Sequence, residues 1–255
     1  MKAAFEQRWD LLRLLTHKEF ALKYKRTTLG IFWSLLNPVL QAAVFFVAFR
    51  IFMRFQIENY TFFLLAALFP WSWFSSSVII SGRSLVDNVT LIKKVVFPRH
   101  LLVAAVILAQ LAHFLFSVPI LAAFALGGGK GVGWNWLIGV PILVVLQLVF
   151  TFGIALVISI SNTYFRDIEY LVGVLMNLVF WMTPIIYPMS AVPERFRPLL
   201  YLNPLTSLMT AWRELFFSNA ILWKEIGIAA AMAVLCLAAG LAVFHKMERR
   251  LDEVL

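Results

Sequence analysis

The sequence predicts an all-α membrane protein with six transmembrane helices, an amphipathic helix ahead of the first, and two short re-entrant helices between the fifth and sixth. Three observations carry this. Hydrophobic residues make up 62% of the 255 and charged residues 14%, against about 45–50% and roughly 25% in a soluble domain. Six apolar stretches approach the roughly 20 residues needed to cross a bilayer. Basic residues divide unevenly between the two sides those stretches define.

The six spans fall at about 31–52, 60–81, 101–126, within 134–165, 170–187 and 226–244. An even number puts both termini on one side. That side collects fifteen of the lysines and arginines, and the other collects seven. The excess of positive charge inside then places both termini in the cytoplasm. No strand-period alternation supports a barrel. The length suits one domain over 1–255: an interface helix (1–28), spans one to five (29–187), an outer helical pair (188–225), then the sixth span and tail (226–255). A lone cysteine, Cys236, leaves no intrachain disulfide and no cysteine zinc site. Arg8, Asp10 and Arg13 interrupt any signal-peptide core near the start.

Three segments do not span. In 1–28, Phe5, Trp9, Leu12 and Leu15 share one helical face, and Arg8 must snorkel from within it. Such a helix lies in the membrane interface. The loop 82–99 mixes Leu85, Val86, Val89 and Ile92 with Asp87, Lys93 and Lys94. It reads either as a short helix offered to a cytoplasmic partner or as a solvated connector. On the outer side, Asn203 before Pro204 is a helix N-cap followed by proline at the first helical position. Leu205, Leu208, Met209, Trp212, Leu215 and Phe216 then form a helical stripe too short to cross. These helices either lie on the bilayer surface or edge a pathway. The "GGGKG" at 127–131 is a turn and no phosphate loop, since Lys130 precedes Gly131 and Phe124 replaces the first glycine. No ATPase of the chain's own is visible.

Within the spans, Asn37, Gln41, Phe45, Phe49 and Phe52 recur at four- and three-residue steps. Asn177, Trp181, Pro184 and Tyr187 do so in the fifth span. Amides bond sugar hydroxyls and rings stack on pyranose faces, so the two stripes suit a glycan pathway. Lipid contact, the interfacial aromatic belt and interhelical packing explain the same residues. His113 reads as a packing residue. No partnered carboxylate at membrane depth suggests a proton- or sodium-driven carrier. No acid pair or activated histidine marks catalysis.

The entry to the first span, "YKRTTLGIFWSLLNPVL", resembles that of membrane subunits of polysaccharide ABC exporters of the O-antigen and teichoic-acid type. Further matches follow in order: "LFPWSWFSSSV" at 68–78, "LIKKVVFPRHLL" at 91–102, "NTYFRDIEYLVG" at 162–173, "FWMTPIIYPMSAVP" at 180–193 and "YLNPLTSL" at 201–208. The resemblance implies a channel of two copies of the chain, joined to two ATP-binding cassette subunits in a bacterial plasma membrane. ATP and magnesium would sit on those subunits, and this chain would carry no cofactor, metal or catalytic residue. The cargo would be a polyprenyl-linked polysaccharide; membrane lipids would surround the complex, and nucleic acid has no part. The resemblance also assigns roles. The interface helix is about 5–23 and includes Trp9. Thr28, Leu29 and Gly30 form the turn at the channel mouth. The coupling segment is 83–94, with Asp87, Lys93 and Lys94, and Arg166 and Asp167 join it from the next cytoplasmic loop. Two short helices at about 194–201 and 205–217 form the outer gate, with Leu208, Met209, Trp212 and Leu215. A drug or small-lipid exporter permease is the nearest alternative, and a membrane-embedded glycosyl- or acyltransferase is the alternative of another class.

Overall fold

The computed structural model describes residues 2–24, 30 and 32–251, and every regular element among them is helical. The α-helices are α1 (Lys2–Tyr24), α2 (Phe32–Phe45) with a π-helical continuation (Phe46–Phe52), α3 (Tyr60–Ser81), the short α4 (Val89–Lys94), α5 (His100–Gly127), α6 (Asn135–Tyr164), α7 (Ile168–Met182), the short α8 (Arg197–Tyr201), α9 (Pro204–Ser218) and α10 (Trp223–Glu248). Five stretches are long and apolar enough to cross a membrane: 35–52, α3, α5, α6 and α10.

The fifth expected span departs from the pattern. Its helix stops at Met182, giving 15 residues, or about 22 Å at 1.5 Å per residue against a hydrocarbon core of about 30 Å. Pro184 is the cause. The residue before a proline is pushed out of the helical region, and Thr183 sits at φ −98°, ψ 136°. Its hydroxyl turns back to donate to the Val179 carbonyl at 2.7 Å.

The bundle is organised around α3, which packs on α2, α5, α6 and α9 and is buried along most of its length. That explains why α3 shows no amphipathic face: a helix enclosed by others is apolar all round. The closest pairing is α6 with α10. A Cβ on Gly240 would lie 2.2 Å from the Gly153 carbonyl oxygen, and one on Gly153 would lie 2.4 Å from the Cys236 backbone. The two backbones therefore touch, as small residues permit where lipid supplies no hydrophobic drive.

The two ends of the bundle separate the segments as the charge count expects. One end gathers α1, the 82–99 loop, the α6–α7 turn and the end of α10. Leu15, Leu85, Ile92, Val103, Phe244 and Leu251 pack together there, and the Tyr164 hydroxyl donates to the Met247 carbonyl. The other end gathers the α2–α3 turn, the 127–133 turn and the α9–α10 turn. There Asn59 Nδ2 donates to Gly128 O and Asn135 Nδ2 to Asn219 O.

Candidate functional site

Gln41 and Phe45 of α2, Trp71, Ser75 and Ile79 of α3, and Asn177, Phe180 and Trp181 of α7 line an open cavity of about 280 Å³. The rings form a continuous set. Phe45 stacks on Phe180 with centroids 5.8 Å apart and meets Trp181 edge-on at 6.2 Å. Phe180 in turn contacts Trp71 at 5.6 Å. Two carboxamides, Gln41 and Asn177, and the Ser75 hydroxyl share the cavity with these rings. The arrangement offers hydrogen bonds and flat apolar faces together, with no charged side chain in the lining. It can hold a neutral polyhydroxyl chain loosely at several points.

Four of the eight expected pathway residues, Gln41, Phe45, Asn177 and Trp181, therefore meet in one cavity. Tyr187 lies beyond the helix end, and its hydroxyl donates to the Trp181 carbonyl at 3.3 Å. Phe49 contacts Phe45 and, on its other side, Phe55. Asn37 lines a different cavity, with Trp33, Ser72, Trp73, Gln110 and His113 between α2, α3 and α5. Phe52 is 76% exposed and lies outside the ring set. The π-helix explains this: its i→i+5 bonding widens the turn, so steps of three and four from Phe45 no longer keep to one face. The lining residues that sequence reasoning left out of the pathway are Trp71, Ser75, Ile79, Gly173, Met176 and Phe180. Trp71, Ser75 and Ile79 do recur every fourth residue, but in a helix buried on all sides that repeat does not stand out.

At the α1 end, Asp87, one of the expected coupling residues, joins a set of polar contacts between α1, the 82–99 loop and α7. Arg83 pairs with Asp87 at 3.2 Å and with Glu169 at 3.3 Å, and both contacts hold its proton more firmly than usual. Asn162 ties the same two loops: its Nδ2 donates to Gly82 O at 2.9 Å, and its Oδ1 accepts from the Glu169 N–H at 3.1 Å. Lys18 of α1 donates to Asn88 Oδ1. Helix α1, the 82–99 loop and the start of α7 are thereby one connected unit. Lys93, Lys94, Arg166 and Asp167 are exposed at this end. Trp9 is half-exposed beneath the Arg13 guanidinium, 5.1 Å from its ring. Gly30 has φ +50°, a conformation that favours glycine. Thr28 and Leu29 lie outside the described residues. The Lys18–Asn88, Arg83–Glu169 and Asn162–Gly82 contacts carried no local signal, because their partners lie 70 to 86 residues apart.

At the other end, Asn203 caps α9 as its sequence expects, accepting from the Leu205 N–H at 3.1 Å with Pro204 first in the helix. The stripe of α9 faces neither bilayer surface nor open space. Leu208, Met209, Trp212 and Leu215 are buried within the chain's own core, against α3, α6 and α10. Trp212 Nε1 donates to Gln147 Oε1 at 2.6 Å, and Gln147 Nε2 to the Pro70 carbonyl at 2.8 Å. The polar side of α9 is buried too. Arg213 donates to the Pro184 carbonyl at 2.7 Å and lies 4.5 Å from the Phe63 ring centre. It clamps the unwound end of α7 to α9. The two surfaces expected for this stripe both assume a helix with one free side, and α9 is covered nearly all round.

Comparisons of the sequence with known proteins give one family and several relatives. A family model described as "ABC-2 type transporter" matches residues 10–217. The chain is 38% identical over 247 residues to an O-antigen export system permease protein RfbA of Klebsiella pneumoniae, covering 97% of this chain and 95% of the relative. It is 33% identical over 246 residues to the RfbA of Myxococcus xanthus, covering 95% and 94%. To the polysialic acid transport protein KpsM of Escherichia coli it is 21% identical over 251 residues, covering 97% of each.

Proposed function

The chain belongs to the ABC-2 type transporter family, and we propose that it is the channel subunit of an ATP-driven polysaccharide exporter. The observation that carries this reading is its likeness, over nearly the whole chain, to permeases named for O-antigen export. The α2–α3–α7 cavity supports it with a matching chemistry: carboxamides and aromatic rings without charge.

The finer account runs as follows. Two copies face each other through α2 and α7, which a single copy leaves largely uncovered. Two ATPase subunits, holding ATP and magnesium, dock at the end that carries α1, α4 and the α6–α7 turn. That end is cytoplasmic, and the membrane is the bacterial inner membrane. Closure of the ATPase pair pushes on α1 and the 83–94 segment. The Lys18–Asn88 and Arg83–Glu169 contacts pass the push to the start of α7. Helix α7 carries Asn177 and Trp181, so the cavity widens as it moves. At its far end Arg213 holds the Pro184 carbonyl, so α9 travels with it. Leu208, Met209, Trp212 and Leu215 give the outer closure a rigid core. The cargo is a glycan on a polyprenyl carrier.

The test is a strain lacking this chain. Full-length polyprenyl-linked glycan should accumulate inside the cell while the surface loses it, and restoring the chain should reverse both. Normal surface glycan in that strain would sink the proposal. A strain that makes only truncated or undecorated glycan would point to the transferase alternative.

A further inference from the structure

At the end of the bundle opposite the Arg83 cluster, the π-helical turn, the start of α3 and the end of α5 enclose a cavity of about 690 Å³. Arg50 lines it, together with Asn59, Phe46, Phe62 and Phe124. By the distribution of basic residues this is the outer side. Helix α3 begins at Tyr60 and α5 ends at Gly127, so the cavity lies at the depth of the outer-leaflet headgroups. The wide turn of the π-helix sorts its side chains. Phe45 and Phe49 go to the ring set and to Phe55, whereas Phe46 and Arg50 turn into this cavity.

Arg50 donates one N–H to the Phe55 carbonyl. A guanidinium has five, so the group keeps a fork of donors for a second acceptor. Among the described residues Arg50 forms no ion pair, although Glu58 is close in sequence. A cation at the membrane edge without a counter-charge is costly, and bidentate pairing with phosphate oxygens is the geometry that best offsets it. Asn59, at φ 48°, gives one amide hydrogen to Gly128 O at 3.2 Å and has a second to offer. The flanking rings provide an apolar wall along which a lipid tail can run.

We propose that this cavity binds the phosphate of a lipid in the outer leaflet, with Arg50 as its anion-binding residue. The phosphate has two sources: an anionic phospholipid of the bilayer, or a prenyl diphosphate carrier. Only the second rests on the function proposed above.

The experiment uses the full chain, co-purified with its ATPase partner and measured by native mass spectrometry. The probes are phosphatidylglycerol and a short-chain prenyl diphosphate, titrated separately and in competition. R50Q removes the charge. A123W fills the cavity from its wall and leaves Arg50 in place, which keeps the test sound if R50Q destabilises the chain. Each should weaken binding of at least one probe tenfold or more, with R50K intermediate. Displacement of phosphatidylglycerol by the prenyl diphosphate assigns the site to the carrier, and a prenyl diphosphate that does not compete assigns it to the bilayer lipid. Unchanged binding of both probes in R50Q and in A123W would overturn the proposal. Because the phosphatidylglycerol titration requires no glycan, its outcome is independent of whether the chain exports one.

Discussion

Trp212→Phe separates a structural role for α9 from a surface role. Trp212 is fully buried, with its ring 5.1 Å from Phe114 and 5.3 Å from Phe216. Its indole N–H is the donor to Gln147 Oε1. Phenylalanine keeps most of the ring contact but leaves that oxygen buried without a partner, which costs about 1–3 kcal/mol. Trp212→Ala adds the loss of the ring, about 3–5 kcal/mol for a buried aromatic. The double change Trp212→Phe with Gln147→Leu removes both polar groups and should recover part of the first penalty, less about 1 kcal/mol for the bond to the Pro70 carbonyl. The assay is thermal or denaturant unfolding of the purified complex, alongside ion leak through the resting complex in vesicles. The expected order of stability is wild type, then the double variant, then Trp212→Phe, then Trp212→Ala. Any leak should appear only in variants that are also destabilised. A stable Trp212→Ala complex that leaks would refute this, and would show that the side chain plugs a pore instead of filling a core.

Three further outcomes are expected. Phe45→Ala and Trp181→Ala should lower ATP-dependent glycan export several-fold with the complex still assembled, while Phe45→Tyr and Phe45→Trp should keep most of it; equal export from all four would mean that the rings only pack. Gly30→Val forces a β-branched residue into a left-handed conformation, at about 1–2 kcal/mol or more, and a Cβ there meets nothing within 4 Å among the described residues, so the cost falls on the turn; the ATPase should still co-purify while export is lost, and normal surface glycan in this variant would remove the turn from coupling. The purified chain alone should hydrolyse no ATP, as the lack of a phosphate loop implies, and phosphate release by the isolated chain at a rate above a mock preparation would contradict that.

Five of the six expected spans were legible because a 20-residue apolar run has few other uses; the fifth was read too long, although its early end was written in Thr183–Pro184. The long-range polar contacts were not. Nothing local marks Lys18 for Asn88 or Arg83 for Glu169, since each bond closes a loop of 70 residues or more. The π-helix was hidden too, because "FVAFRIF" suits an ordinary helix as well. It moves Phe52 off the expected face and brings Arg50 into a cavity. Helix α9 misled for a different reason. Its hydrophobic stripe is real, but the opposite face is enclosed by protein instead of water: Thr206 Oγ1 donates to the Leu200 carbonyl and Arg213 to that of Pro184. A polar face predicts solvent only where no internal acceptor is at hand.

The most direct measurement places a photo-crosslinking amino acid at Phe45 or Trp181, in the cavity between α2 and α7, and at Leu235 on the exposed side of α10 as a control. The complex works in membrane vesicles with radiolabelled polyprenyl-linked glycan. The account expects glycan to be captured from positions 45 and 181 only when ATP is supplied, and not from position 235. Capture of lipid alone at 45 and 181 during active export, or equal glycan capture from 235, would contradict it.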